Sequence, residues 1–134
     1  MMGLVCSWKD YFGSGVYSPV CDVSGESGLE TTGLSLLSYI LTDDGGVGVS
    51  ASLVWIEEGL KRIEKVEKGL AESMDWDREC WGSKINSSGV KIYSLVDDEY
   101  FAYVTFAFFK KALSEWLEFV RGYKIEEMVE IDLE

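Results

Sequence analysis

"VKIYSLVDDEYFAYVTFAFFKKALSEWLEFVR" (90–121) decides the fold. Its first part holds two runs, "VKIYSLV" (90–96) and "EYFAYVTF" (99–106), rich in β-branched and aromatic residues that suit a pleated, half-buried surface. Asp97 and Asp98 fall between them where a hairpin turn belongs. Ile92, Tyr93, Leu95 and Tyr100 to Val104 read as core strands. From about residue 108 the period changes. Phe109, Ala112, Leu113, Trp116, Leu117 and Val120 recur at helical spacing on one face, to about 121, and Gly122 is a natural stop. A hairpin followed by an amphipathic helix is a sheet with its cover.

Upstream, "SASLVWIEEGLKRIEKVEKGLAESM" (50–74) repeats the helical pattern. Leu53, Ile56, Leu60, Ile63, Val66, Leu70 and Met74 share a face. Glu57–Lys61, Glu58–Arg62 and Glu64–Lys68 are i,i+4 pairs in the favourable order, with Ser50 as N-cap. Gly59 and Gly69 weaken this helix, so packing has to hold it. Nearer the N-terminus, "GVYSPVCDV" (15–23) is a short strand that Pro19 confines to an edge or bend. Residues 24–33 form a loop. "LSLLSYILT" (34–42) fits a buried strand or a short helix, and "DDGG" (43–46) ends it. The tail 125–134 is a final strand or a frayed acidic end. These elements predict a single domain over 1–134 of the α+β class, an antiparallel sheet with two amphipathic helices packed on one side.

The chain carries 12 bases against 24 acids, a net charge of -12. The excess lies toward the two ends: residues 125–134 hold no base at all. Phosphate binding needs clustered Lys and Arg, so nucleic acid and anionic membrane are disfavoured, while a basic protein partner fits. Cys6, Cys21 and Cys80 are odd in number and form no C-x-x-C pair, which favours free thiols in a reducing compartment. No basic region followed by an apolar stretch marks a signal peptide, so the expected location is cytoplasmic.

There is no histidine. Ser-His-Asp and Cys-His catalysis and histidine-based metal sites are therefore excluded. The Gly-rich segments fit no phosphate loop, and the acids at 97–99 lack the spacing of a calcium loop. The expectation is a binding protein rather than an enzyme, with no cofactor, metal or small-molecule ligand. A carboxylate-dependent hydrolase is the remaining catalytic alternative.

Three acidic clusters are candidate partner-binding residues. Asp97, Asp98 and Glu99 are either a solvated turn or a contact surface. Asp75, Trp76, Asp77 and Glu79 would give an aromatic anchor ringed by charge, with Trp76 divided between interface and core and Trp81 assigned to the core. Glu26, Glu30, Asp43 and Asp44 are loop acids with no base nearby.

"WGSKINSSGVKIYSLVDDEYFAYVTFAFFKKALSEWLEFV" (81–120) resembles the C-terminal half of small bacterial immunity proteins of contact-dependent growth inhibition systems. The shared shape is a Trp-containing loop, a hairpin, and a helix reading Phe109, Ala112, Leu113, Trp116, Phe119. The similarity is limited to this part of the chain and is mostly structural, so no functional residue is carried over. The resemblance implies a cytosolic antidote that binds a cognate toxin C-terminal domain, commonly a basic nuclease, and occludes its active site. A small protein-binding domain with another partner is the alternative.

Overall fold

The computed structural model describes residues 3–24 and 32–132. In chain order these form β1 (Gly3–Lys9), β2 (Ser18–Ser24), α1 (Thr32–Thr42), α2 (Val49–Glu67), β3 (Ser73–Asp77), β4 (Trp81–Asn86), β5 (Gly89–Ser94), β6 (Phe101–Val104), α3 (Phe106–Gly122) and β7 (Val129–Asp132). The fold is α+β. The strands make two antiparallel sheets, one ordered β2-β1-β7 and the other β3-β4-β5-β6, in place of the single sheet expected. Part of the tail supplies β7, where Ile131 pairs with Leu4 and points into the core. Pro19 sits on β2, an edge strand, where its missing N–H breaks no ladder.

A third helix joins the two expected. Residues 34–42 belong to α1, which packs on β2 at one side and on β5 and β6 at the other. Leu34, Leu36, Leu37, Ile40 and Leu41 are all buried. A helix covered on most of its circumference shows no amphipathic period, so its pattern could not be told from a strand.

Helix α2 stops at Glu67, short of the expected end at 74. Gly69 takes φ +74°, its N–H donates to the carbonyl of Val66, and that of Leu70 donates to the carbonyl of Lys65. This is a Schellman termination, which a left-handed glycine makes easy. Leu70 is consequently exposed and Met74 belongs to β3. At the other end Gly48 is the N-cap residue and Ser50 lies inside the helix, so the expected serine cap is absent. Buried Ile56, Ile63 and Val66 carry the packing face. Arg62–Glu58 and Lys68–Glu64 pair as expected; Glu57 pairs with Arg121 instead of Lys61, and Glu67 with Lys110, both tying α2 to α3.

Helix α3 begins two residues before expectation. Thr105 caps it by accepting the Phe108 N–H at 3.1 Å. Its apolar face meets β1 through stacking of Phe119 on Trp8, and one contiguous core links both sheets and all three helices. In the hairpin, Val90 and Ile92 are buried and Ala102 and Val104 half-buried. Leu95, Tyr100, Phe101 and Tyr103 are exposed, contrary to their reading as core. Strand alternation points Phe101 and Tyr103 to the sheet's outer side, while Leu95 and Tyr100 lie in the connection between strands.

Candidate functional site

Three connections meet at one end of the molecule: the α1–α2 loop (43–48), the β3–β4 turn (78–80) and the β5–β6 loop (95–100). Backbone and side-chain hydrogen bonds hold them together. Asp43 accepts the Cys80 N–H at 2.6 Å, and the Leu95 N–H donates to the Cys80 carbonyl at 3.0 Å. Each acidic loop is also ordered from within. Asp44 accepts the Gly46 N–H, Asp97 accepts the Glu99 N–H, and the Ser94 hydroxyl accepts the N–H groups of Val96 and Asp97. Asp97 is thus a turn former, and Asp98 and Glu99 project into solvent.

The end face has an apolar centre. Tyr39 lies 5.3 Å from Trp81, and Trp81 lies 5.7 Å edge-on to Tyr100. Tyr39, Thr42, Asp43, Cys80 and Trp81 line an open groove of about 360 Å³. Val96, 89% exposed, extends the apolar area. Around it stand Asp43, Asp44, Glu79, Asp97, Asp98 and Glu99, none of which forms an ion pair among the described residues.

Beside the groove is a cavity of about 270 Å³ lined by Asp43, Asp44, Ser52, Trp55, Asp77, Arg78 and Glu79, among others. The Arg78 guanidinium is buried, stacked 5.3 Å over the Trp76 ring. It has only long contacts of 3.4 Å to the Leu41 carbonyl and the Ser52 hydroxyl, and its Nε has no partner. Burial draws its pKa down to about 10, and the charges of Asp43 and Asp44 act against that shift. It stays cationic at neutral pH. The Asp77 carboxyl is raised by burial first and by Asp75 second, while a hydrogen bond from the Ser83 N–H lowers it. Its Oδ1 has no partner.

Of the expected contact residues, the fold gathers Asp43, Asp44, Asp77, Glu79 and the 97–99 loop at this end. Asp75 is exposed on the outer face of β3, away from the groove. Glu26 and Glu30 lie outside the described residues. Trp76 has no exposed surface: its ring packs against Gly59 of α2 and edge-on to Phe109, and its indole N–H donates to the Trp55 carbonyl. An interface role for Trp76 is therefore corrected to a core role. The aromatic surface belongs to Tyr39 and Trp55, which were not singled out, and to Tyr100, which was read as core, with Trp81 half-buried rather than closed in the core.

Among the described residues, no group of three or more acid or thiol side chains is placed to hold a metal ion, and no helix is long and apolar enough to cross a membrane. Comparison with protein-family models, with curated proteins and with solved structures finds no match to this chain.

Proposed function

We propose that the chain is an immunity protein that binds and neutralises a cognate, basic nuclease toxin domain by covering its active site. The observation that carries this reading is the convergence of three loops, which bring Asp43, Asp44, Glu79 and Asp97 to Glu99 around one apolar groove. An aromatic centre ringed by charge is the usual anatomy of a tight contact, and a negative rim directs a basic partner toward it. Supporting it is the resemblance of residues 81–120, which supplies the toxin class. Inhibition would be steric and electrostatic. Lys and Arg that normally hold a nucleic-acid backbone would meet carboxylates, and Tyr39, Trp81 and Tyr100 would supply the desolvated contact. The protein would act in the cytoplasm of the cell that makes it, as a stoichiometric binder and not as an enzyme.

The test is co-expression with the toxin domain encoded beside this chain, followed by binding measured across a salt series. Protection, and an association rate that falls steeply with ionic strength, are expected. Reversing Asp98 and Glu99 to Lys should leave the circular-dichroism spectrum and Tm near wild type while slowing association about tenfold or more. Absence of both binding and protection refutes the proposal.

A further inference from the structure

The cysteine count favours free thiols, and all three are unbridged here. The strand register adds what spacing could not. Cys6 and Cys21 are directly opposite on antiparallel β1 and β2. Both side chains are buried in the core.

The type of pairing follows from Thr42. Its Oγ1 accepts the Cys21 N–H at 2.9 Å and donates to the Cys21 carbonyl at 3.3 Å. Both backbone groups of Cys21 thus point away from β1 and toward α1. In an antiparallel ladder that defines a non-hydrogen-bonded pair, where facing Cα atoms stand about 4.5 Å apart and side chains approach most closely. A disulfide spans Cα separations of about 4.4–6.8 Å. The Cys6 thiol is close enough to raise the pKa of the Cys21 thiol.

We propose that Cys6 and Cys21 are a modification site, closing to a cross-strand disulfide that fastens the edge strand β2 to β1. The oxidant required is a low-molecular-weight disulfide. One cysteine thiolate attacks a sulfur of that disulfide, breaking its S–S bond and releasing one small thiol. The other cysteine then attacks the resulting mixed disulfide and releases the second. Two protein S–H bonds and one small S–S bond are lost. One protein S–S bond and two small thiols are formed.

Access sets the rate. Donation of its proton toward Cys6 and burial both hold the Cys21 thiol protonated, so it is a poor nucleophile in the closed fold. β2 is an edge strand, and its local opening exposes Cys21 without disturbing the centre of the sheet. Once formed, the link also steadies Thr42, and through it the start of the loop carrying Asp43 and Asp44.

The test equilibrates the full chain in buffers of increasing oxidised-to-reduced glutathione ratio, then quenches with acid, alkylates and maps peptides by mass spectrometry. Exposed Cys80 takes up glutathione and reports that the oxidant acts. The expected result is a Cys6–Cys21 linked peptide and a Tm higher by about 10 °C, reversed by dithiothreitol and absent in Cys21→Ser. Recovery of Cys6 and Cys21 as alkylated thiols while Cys80 is fully glutathionylated overturns the proposal. So does a linked form whose Tm falls, because it shows that the native strands do not fit the bond.

Discussion

Replacing Gly59 with alanine sets two opposed effects against each other, and the structure decides between them. At an exposed helical position the change stabilises by about 1 kcal/mol, because glycine loses more backbone freedom on folding. Gly59 is not exposed. A Cβ there would lie 2.7 Å from Trp76 Cε2, 2.9 Å from Leu113 Cδ2 and 3.0 Å from Trp76 Nε1. Neither neighbour can yield freely: both are fully buried, and the Trp76 indole is fixed by its hydrogen bond to the Trp55 carbonyl. Overpacking of this kind costs about 1–3 kcal/mol, and losing the indole bond adds about 1 kcal/mol. The propensity gain is therefore outweighed, and Gly59→Ala destabilises by about 1–3 kcal/mol. Urea unfolding followed by tryptophan fluorescence should show a lower midpoint at unchanged slope. A variant as stable as wild type, or more so, would refute the claim that α2 is held against β3 and α3 through this contact. Because Trp76 is the surface on which Arg78 stacks, the same variant should also alter partner association at the acidic end.

Asp77→Asn should stabilise the protein at neutral pH, raising Tm by about 2 °C. The folded state holds the Asp77 proton more tightly than the unfolded chain does, so stability falls as pH rises from the ordinary carboxylate range through the raised folded value and stays lower above it. Urea midpoints at pH 3 and pH 7 check the sign, and the gain should vanish at the lower pH. Thr42→Val keeps the shape of the side chain and removes both of its bonds to the Cys21 backbone. It should cost about 2 kcal/mol and speed hydrogen exchange at the Cys21 amide, with little change in β4 and β5.

Sequence reading served best where a residue's neighbours in space are also its neighbours along the chain. The packing faces of α2 and α3 and the β5–β6 pairing are local patterns of period 3.6 or 2, and they were legible. Helix α1 was not, because burial on most sides removes the polar stripe that makes a period visible. Leu70 and Met74 were misplaced because a favourable apolar spacing continued past a glycine that adopts left-handed geometry. Trp76 carried a readable signal after all: "DWD" alternates, and alternation turns the tryptophan inward when the flanking acids face out. The second sheet was out of reach, since β1 and β7 come from opposite ends of the chain. The acidic end was legible residue by residue. Its assembly was not, because charge runs state composition and only the topology brings loops together.

The way the acids at this end are held has a further consequence. On α2, Glu57, Glu58, Glu64 and Glu67 are each matched with a lysine or arginine. At the acidic end, Asp43, Asp44 and Asp97 are matched with backbone N–H groups instead. Their shape is set without a direct ion pair among the described residues, and the buried Arg78 beside Asp43 and Asp44 offsets only part of the negative charge of this end. An incoming cation would have no such salt bridge to break, and the loops would not need to rearrange to receive it. The residues that position these loops also differ from those exposed at their tips. Asp98, Glu99 and Val96 could therefore drift through many substitutions while β3, β4 and β5 stay as they are. Such a surface is free to follow a changing partner at little cost to the scaffold beneath it.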